Sequence, residues 1–315
     1  MEELDTAVGP LRWRVEEAGP ERVRLGFPWD ENLANPDGVL HGGAIAASLE
    51  EGLARLAREV FGSETECAGE TVQVAERAGG TDDAGSVPPA PGRVHVLERR
   101  IAFEHAGRGR HFAVWAEPNR VGRRTAFLRA SLTDDAGRVC ARAEAIATRF
   151  TPIGGKEEGP GRGMTEHPDL VGPAAASFRV PSLRQEILDR ANPYRDALGV
   201  RLAMPQVGQS IFALEPGAGA VCARGALHTG VVLSLLDLGM GHALLSGVRT
   251  VERPITLTLE VTTAVPAEDP ALFGTGTLVG GFGDRAEPDL YELAGEVVDR
   301  YGRTLARARA IFQGR

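Results

Sequence analysis

The sequence predicts an α+β protein that carries two copies of one domain. Three observations lead to this prediction. A short motif occurs twice, an apolar segment suited to a mostly buried helix begins at each occurrence, and several segments with strand chemistry follow each helix. One helix followed by consecutive strands is typical of a mainly antiparallel sheet rather than of βαβ units, so the class is α+β.

The repeated motif covers residues 38–52 (GVLHGGAIAASLEEG) and residues 225–239 (GALHTGVVLSLLDLG). Each copy contains a Leu-His pair, a following glycine, and a carboxylate nine residues after the histidine. These histidine and carboxylate pairs are His41 with Glu50 and His228 with Asp237. The offset of 187 residues, from position 41 to position 228, is far longer than a solenoid repeat and indicates two copies of a whole domain.

The predicted elements have the same order in each copy. Two short alternating segments come first, at 11–17 and 22–27 in one copy and at 199–203 and 209–214 in the other. The helices follow at 41–61 and 228–246. The later strands are predicted at 93–104, 110–117, 125–134 and 138–150, and at 254–264, 272–280, 290–299 and 304–312.

The domain bounds follow from local composition. We predict a first domain at residues 1–152, a linker at 153–181 and a second domain at 182–315. The segment 77–93 is rich in Gly, Pro and Asp and is predicted to be a flexible loop within the first domain. Ser182 is predicted to cap a short helix at 183–191 that ends before Asn192-Pro193.

The composition argues against several function classes. A net charge of −8 does not suit nucleic acid or an anionic membrane as a partner. Lys156 is the only lysine, so arginine side chains or backbone N–H groups would hold any bound phosphate. The acidic N-terminus does not resemble a secretory signal, and because no apolar run approaches about 18 residues, we expect no transmembrane helix.

The cysteines give a prediction about compartment and metals. Cys67, Cys140 and Cys222 are far apart, and they form no CxxC or Cys/His metal spacing. We therefore expect free buried thiols in a reducing cytoplasm and no cysteine-bound metal, and the function predicted below needs neither a metal nor an organic cofactor.

The first copy of the motif resembles the signature of PaaI-type hotdog thioesterases, a 4HBT-like family. In that signature an Asn stands six residues before a His-Gly-Gly, and a carboxylate follows on the same helix. The matching residues are Asn35, His41, Gly42, Gly43 and Glu50.

The second copy resembles the same signature with two departures. His228, Gly230 and Asp237 match it, but Cys222 stands where the family has Asn, and Thr229 replaces the first Gly. The segment 254–258 is similar to a family strand in which a hydroxyl residue faces the site, and this property carries over to Thr256. In the first copy, His95 falls closest to a counterpart of Thr256.

The resemblance implies a hotdog fold, in which a curved antiparallel sheet wraps a long helix. Because single-copy relatives dimerise, the tandem copies imply a double hotdog that forms a pseudo-dimer within one chain, with further homo-oligomers left open. The resemblance also implies acyl-CoA as the substrate and partner.

Gly42 and Gly43 stand where the first helix is predicted to begin. Backbone N–H groups at a helix start lack intrahelical partners and lie at the positive end of the helix dipole. Glycine lets a substrate carbonyl approach this backbone, so the turn is a candidate oxyanion hole. The alternative is that the glycines only permit close packing of the helix.

A helix start and its own carboxylate are poorly placed to share one substrate carbonyl. Nine residues of α-helix rotate by about 900° and rise by about 13 Å, so the two groups leave on nearly opposite sides. Two antiparallel helices solve this problem, because the start of one lies near the middle of the other. We therefore predict that the first motif pairs with Asp237 and the second with Glu50.

The predicted first site combines Asn35, His41, Gly42, Asp237 and Thr256. Asp237 would be the general base or the nucleophile. Asn35 would polarise the carbonyl or hold water, His41 would donate a hydrogen bond, and Thr256 would position water. The structural alternatives are a solvated helix carboxylate, a turn asparagine, a structural histidine and a β-branched strand residue, respectively.

The predicted second site combines Glu50, His228 and Gly230, and its departures from the signature suggest that it is weakened or vestigial. Glu50 has the alternative of an ordinary charged helix face. Candidate substrate-binding residues are Gly43, Arg249 and Arg253, although both arginines follow the second helix and suit solvated loop charges equally.

The predicted function is hydrolysis of an acyl-CoA thioester at a site shared by the two halves. Two alternatives stay open at this stage. One is a non-catalytic acyl-CoA binding or regulatory protein, and the other is a hotdog hydratase or dehydratase.

Overall fold

The computed structural model describes residues 3–62, 93–150, 183–214, 227–263, 271–284 and 287–315. The predicted linker at 153–181, Ser182 and nearly all of the 77–93 loop lie outside these ranges, as do Cys67 and Cys222. The domain bounds at 152 and 182 therefore stay a prediction.

The first half contains seven strands and one long helix among its described residues. They are β1 (Glu3–Val8), β2 (Leu11–Ala18), β3 (Val23–Pro28), α1 (Gly42–Phe61), β4 (Arg93–Phe103), β5 (His111–Val121), β6 (Thr125–Asp134) and β7 (Val139–Phe150), with a 3-10 turn at Glu31–Leu33. Strand β1 was not predicted from the sequence.

The second half repeats this order after two short helices. Its elements are α2 (Gln185–Leu188), α3 (Pro193–Leu198), β8 (Val200–Ala203), β9 (Gln209–Leu214), α4 (Thr229–Gly247), β10 (Pro254–Thr263), β11 (Leu272–Asp284), β12 (Glu287–Asp299) and β13 (Thr304–Gly314).

The prediction of one helix at 183–191 was wrong in its extent. Only Gln185–Leu188 is helical there, and Asn192-Pro193 begins a helix instead of following one. The Asn192 side chain accepts a hydrogen bond from the Arg195 N–H, and Pro193 occupies the first helical position. Asn is a favoured N-cap residue and Pro is well tolerated directly after it, which explains the helix start.

One antiparallel sheet of 13 strands runs through the described residues, in the order β1-β2-β3-β5-β6-β7-β4-β10-β13-β12-β11-β9-β8. Apart from β1, equivalent strands of the two halves follow the same order from the outer edge of the sheet to its centre. The halves meet where β4 pairs with β10, and Arg100 lies opposite Glu260 in the middle of that pairing. This arrangement confirms the predicted α+β class.

The two long helices pack side by side and run antiparallel. A Cβ placed on Gly43 would lie 3.1 Å from Ser234 Cα, and one on Gly230 would lie 2.9 Å from Ala47 Cα. These approaches bring the first turn of each helix against the body of the other. The side-by-side antiparallel arrangement predicted from the nine-residue spacing is therefore present.

Helix α4 is apolar around most of its circumference. Of the helices described, it is the one whose length and mean hydropathy of 1.4 would suit a membrane span, but 94% of that window is buried inside the protein. Such burial is typical of the central helix of a folded core.

Candidate active site

His41 is the N-cap residue of α1 and lies in the first candidate site. Its Nδ1 accepts a hydrogen bond of 2.9 Å from the Gly43 N–H. An Nδ1 that accepts carries no proton, so the neutral ring carries its proton on Nε2. Burial, with a smaller contribution from the nearby His242, lowers the pKa of His41 to about 3, which keeps the ring neutral at ordinary pH.

Asp237 reaches this histidine from α4, in the other half of the chain. The carboxylate is 5% exposed, and its Oδ1 accepts a hydrogen bond of 2.7 Å from the Thr256 hydroxyl. Burial raises the pKa of Asp237 to about 6, while the hydrogen bonds from Thr256 and the Gly43 N–H act in the opposite direction. The carboxylate thus titrates close to neutrality, where a general base is most effective.

Asp237 Oδ2 lies 3.5 Å from His41 Nδ1. Because His41 is neutral and its Nδ1 already accepts from Gly43, this approach is not an ion pair. The distance instead shows that polar groups from the two halves of the chain lie close together. Of the pairs predicted from the sequence, His41 and Asp237 are therefore neighbours in the structure.

Gly42 allows this close approach. A Cβ at this position would lie 2.8 Å from Asp237 Oδ2, closer than any side chain is normally found. The Gly43 N–H is shared between His41 Nδ1 and the Asp237 carboxylate, so the first turn retains the N–H groups of Gly42 and Ala44 as donors with no intrahelical acceptor. The first turn of α1 therefore places free backbone donors next to a buried carboxylate.

Asn35 shapes the loop that leads into α1. Its Oδ1 accepts hydrogen bonds from the N–H groups of Asp37, at 2.9 Å, and Val39, at 3.2 Å. The carbonyl oxygen is thus committed to the turn, and only the side-chain NH₂ is left for a substrate.

The two candidate arginines occupy different positions. Arg253, immediately before β10, lies with its Nε 3.4 Å from Asp37 Oδ1 in the Asn35 loop, so it bridges the two halves at the surface. Arg249 is exposed in the turn after α4. The structure therefore brings Arg253, but not Arg249, into contact with the loop of the first site.

The second candidate site differs from the prediction. His228 caps α4 as His41 caps α1, and its Nδ1 accepts from the Gly230 N–H at 2.9 Å. Its Nε2–H donates to Glu51 Oε2 at 2.8 Å, so the carboxylate beside His228 is Glu51 and not Glu50. Burial alone would raise the pKa of Glu51, but His228 and two nearby arginines lower it below the usual value.

Glu50 points elsewhere, into a buried ion pair with Arg99 of β4. Arg99 Nε donates to Glu50 Oε2 at 2.5 Å, and the second guanidinium nitrogen donates to Oε1 at 2.6 Å. Arg99 also donates to the Thr263 hydroxyl on β10. The predicted pairing of Glu50 with His228 is absent. Side chains at positions 50 and 51 point about 100° apart on the helix, so Glu50 faces Arg99 and Glu51 faces His228.

The position equivalent to Thr256 in the first half is Val96 and not His95. A β-bulge interrupts β10 between Thr256 and Thr258, and another interrupts β4 between Val96 and Glu98. Aligning the bulges places the buried Val96 at the position of Thr256. The second site therefore has no hydroxyl at this position.

Sequence reasoning missed three residues around the first site. Tyr194 packs against His41, Ser234 bonds to both helix starts, and the buried His242 lies near enough to affect His41. The His242 Nδ1–H donates to the Leu238 carbonyl, and burial lowers the pKa of this histidine to about 4. The internal repeat gives no signal for His242, because Arg55 stands at the same place in the first copy.

Other features of the described residues contribute no chemistry to this site. Cys140 is free and buried, and burial raises the pKa of its thiol to about 11. No cluster of three or more His, Cys, Asp or Glu side chains suited to a metal occurs in the part of the chain that the structure describes. A cavity of about 420 Å³ crosses β10 to β13 and includes Glu98 and Arg307, but none of the candidate residues lines it.

Comparisons with known proteins agree with this architecture. A family model described as the thioesterase superfamily matches residues 37–141, from the Asn35 loop to the start of β7. A hotdog-fold protein of unknown function from Alicyclobacillus acidocaldarius is similar, with a TM-score of 0.60 and 15% identity over 96% of each chain. Comparison with curated proteins finds no significant match.

Two further solved structures share the fold along nearly the whole chain. A tesB protein from Mycobacterium avium subsp. paratuberculosis has a TM-score of 0.57 and 13% identity, with 96% of each chain covered. An acyl-CoA thioesterase II from Mycobacterium marinum has a TM-score of 0.52 and 13% identity, with 96% of this chain and 94% of that chain covered. The predicted double hotdog and the resemblance to the thioesterase superfamily are confirmed, while the PaaI-type assignment stays a prediction.

Proposed function

We propose that this protein is an acyl-CoA thioesterase with one active site, shared between the two halves of the chain. The observation that carries the proposal is the environment of Asp237. A buried carboxylate with a pKa near neutrality accepts the Thr256 hydroxyl and lies against the first turn of a helix from the other half. These are the parts that hydrolysis of a thioester requires.

Asp237 acts as the general base in the proposed reaction. It takes a proton from a water molecule, whose oxygen attacks the thioester carbonyl carbon, and the carbonyl oxygen becomes negative. The C–S bond then breaks, the sulfur leaves as the CoA thiolate and takes up a proton, and the free acid remains. Oδ1 accepts from Thr256, which leaves Oδ2, beside Gly42 and His41, to take the proton from water, and a carboxylate with a pKa of about 6 holds that proton well enough to act as a base.

The negative oxygen needs donors aimed at it, and α1 supplies them. The Gly42 N–H lies at the positive end of the helix dipole, and the Asn35 side-chain NH₂ stands in the loop that precedes it. Loss of one such donor typically lowers turnover by about 10²–10³-fold. The Nε2–H of His41 is a further donor in the same turn.

Acyl-CoA is the proposed substrate class because fold relatives include a protein described as an acyl-CoA thioesterase II. The CoA phosphates would need arginine or backbone donors, since Lys156 is the sole lysine and lies outside the described residues. Arg253 is the better placed of the two candidate arginines, because it contacts the Asn35 loop through Asp37. A reducing cytoplasm is the proposed location.

The direct test is release of free CoA thiol from a panel of short, long and aromatic acyl-CoA substrates. We expect release with at least one substrate, and we expect Asp237→Asn to lower turnover by about 10²–10⁴-fold, the usual contribution of a positioned base. Binding of acyl-CoA without thiol release from any substrate would favour the non-catalytic binding protein. Addition of water to an enoyl-CoA would favour the hydratase.

A matched control is Glu51→Gln, the same carboxylate-to-amide change beside the other N-cap histidine. Gln can still accept the hydrogen bond from His228, and we expect the turnover of the folded variant to equal that of the wild type. If Glu51→Gln and Asp237→Asn were equally damaging, the proposal of one active site would be wrong.

A further inference from the structure

Helix α3 delivers an aromatic ring to the first site from the opposite half of the chain. Tyr194 is fully buried, and its ring packs against His41 in a tilted arrangement, with the ring centroids 4.9 Å apart and the planes inclined by 32°. The Tyr194 N–H also contacts the Ala34 carbonyl at 3.3 Å, immediately before Asn35. One short helix therefore touches both the loop and the N-cap residue of α1.

A hydrogen-bond chain continues from this ring into the helix pair. The Tyr194 hydroxyl lies 2.8 Å from Ser234 Oγ, and Ser234 Oγ lies 3.0 Å from the Gly43 carbonyl oxygen and 2.8 Å from that of Gly230. Carbonyl oxygens only accept, so the single Ser234 hydroxyl proton is shared between these two carbonyls and the Tyr194 hydroxyl donates to Ser234 Oγ. The chain ends on the first turn of α1, which carries the candidate oxyanion donors.

We propose that Tyr194 and Ser234 are positioning residues for the thioesterase site, an inference that rests on the proposed function. The Tyr194 ring covers one face of the His41 imidazole and holds it in the orientation in which Nδ1 accepts from Gly43. Ser234 fixes the Gly43 peptide, and with it the direction of the neighbouring N–H groups. Both residues act through α1 and not on the substrate.

The second site provides an internal comparison. Trp13 of β2 stacks on His228 with the ring centroids 5.4 Å apart, and its indole N–H donates to Ser48. Ser48 donates to the Ala44 carbonyl of its own helix, and the position equivalent to Ser234 in the first copy is Ala47. The hydroxyl that bonds across to the other helix start is therefore present only in the half that supplies Asp237.

The test compares Tyr194→Leu with Tyr194→Phe in the full chain. Tyr194→Leu removes the ring that packs against His41, and we expect kcat to fall by up to about 10²-fold, the usual cost of a small misplacement, with KM little changed. Tyr194→Phe keeps the ring and should recover most of this loss. Equal losses for both variants, or full kcat in a folded Tyr194→Leu variant, would overturn the proposal.

Two further variants separate positioning from general damage. Ser234→Ala removes one small hydroxyl and should lower kcat by about tenfold at unchanged KM, consistent with loss of a hydrogen bond of about 1 kcal/mol or slightly more. Trp13→Leu makes the same kind of aromatic deletion at the second site and should leave kcat of the folded protein unchanged. A loss of kcat in Trp13→Leu as large as in Tyr194→Leu would contradict the inference.

A spectroscopic measurement tests the same inference without activity. In ¹⁵N-labelled protein, the His41 resonances, assigned by their loss in His41→Gln, should show one tautomer with the proton on Nε2. In Tyr194→Leu we expect averaged ring signals, and an unchanged single tautomer would overturn the positioning role. If the wild type releases no thiol but these signals change as expected, the proposed function fails and the positioning of His41 stands.

Discussion

Asp237 is a carboxylate held among neutral partners. Its neighbours are the Thr256 hydroxyl, the Gly43 N–H, the neutral His41 ring and the protonated Tyr194, whose own pKa is raised by burial and by the nearby Asp237 charge. No described cation neutralises Asp237 in the way that Arg99 neutralises Glu50. A base that is buried without a counter-ion holds its proton more tightly, which suits proton transfer from water.

We predict that kcat/KM rises with pH through one ionisation with an apparent pKa of about 6 and then levels off. His41 and His242, with pKa values of about 3 and 4, stay neutral across this range and add no second step. Because Thr256 lowers the pKa of Asp237, Thr256→Val should move the acid limb to higher pH. A limb that moved to lower pH in initial-rate profiles would contradict this assignment.

The same ionisation has an effect of opposite sign on stability. Since the folded-state pKa of Asp237 is above its ordinary value, ionisation weakens the fold. The resulting loss of unfolding free energy is absent below about pH 4 and reaches its full size above about pH 6. Thermal melts should therefore show Asp237→Asn gaining stability relative to the wild type as the pH rises from 4 to 8.

Gly42 is a second residue-scale test. A Cβ at Gly42 would collide with Asp237 Oδ2, so Gly42→Ala should displace the carboxylate and lower kcat by about 10²-fold. The equivalent residue of the second copy is Thr229, where the chain already accepts a side chain. Thr229→Ala is the matched control and should retain wild-type initial rates, whereas full activity in Gly42→Ala would show that this contact is unimportant.

At the scale of elements, the two helix starts have the same N-cap geometry but different surroundings. Each histidine accepts from the N–H two residues later, and each carries an aromatic ring from the opposite half. The difference lies in the carboxylates. One start faces Asp237, which has no cationic partner among the described residues, and the other faces Glu51, which lies near His228, Arg58 and Arg55.

The Glu50–Arg99 pair should behave as a structural unit that ties α1 to β4. Both side chains are almost fully buried, so Glu50→Gln alone leaves a charge uncompensated and should cost about 3–5 kcal/mol of unfolding free energy. Glu50→Gln combined with Arg99→Met should recover much of this loss. Urea unfolding measures the effect, and thiol release per folded molecule should stay at the wild-type level.

The exposed pair Arg100–Glu260, one residue further along the same strand, is the control for that experiment. Its side chains are 67% and 48% exposed, so Arg100→Ala should cost no more than about 1 kcal/mol. Equal costs for Glu50→Gln and Arg100→Ala would mean that the buried pair is not a structural unit.

The helices and the class of the fold were predictable from the sequence because their signals are local. Periodicity placed both long helices to within about one residue, and the nine-residue spacing required an antiparallel partner. The choice between Glu50 and Glu51 was not predictable, because the partner of Glu50 is Arg99, which lies on a strand 49 residues later in the sequence. Tyr194 is missed for a different and local reason: Asn192-Pro193 is also a favoured N-cap and first helical residue, so the dipeptide begins a helix here instead of following one.

At the scale of the whole molecule, one sheet passes through both halves and places the site between their helices. The β4–β10 pairing and the close contacts of Gly43 with Ser234 and of Gly230 with Ala47 fix the halves against each other. His41 and Asp237 are therefore brought together within one chain, and the proposed site needs no second chain to complete it. This arrangement distinguishes the protein from a dimer whose sites lie between separate chains.

Mixing two inactive variants tests this intrachain assignment. Chains with His41→Gln and chains with Asp237→Asn, unfolded and refolded together, should remain inactive in the thiol-release assay, because each chain lacks one half of its own site. Recovery of about a quarter of the wild-type activity would indicate exchange of halves between chains, as expected for random reassociation of two kinds of half. The wild type treated in the same way controls for refolding.

The ion pair between Glu50 and Arg99 also bears on how such a protein can evolve. In a homodimer of identical subunits, every substitution appears at both sites, so a carboxylate cannot be catalytic in one place and structural in the other. Joining the two copies in one chain removes that constraint, and each copy can then be selected separately. The position that holds Asp237 in one copy holds Glu50 in the other, where it forms a structural ion pair. Two different roles at one position would be impossible in a symmetric homodimer.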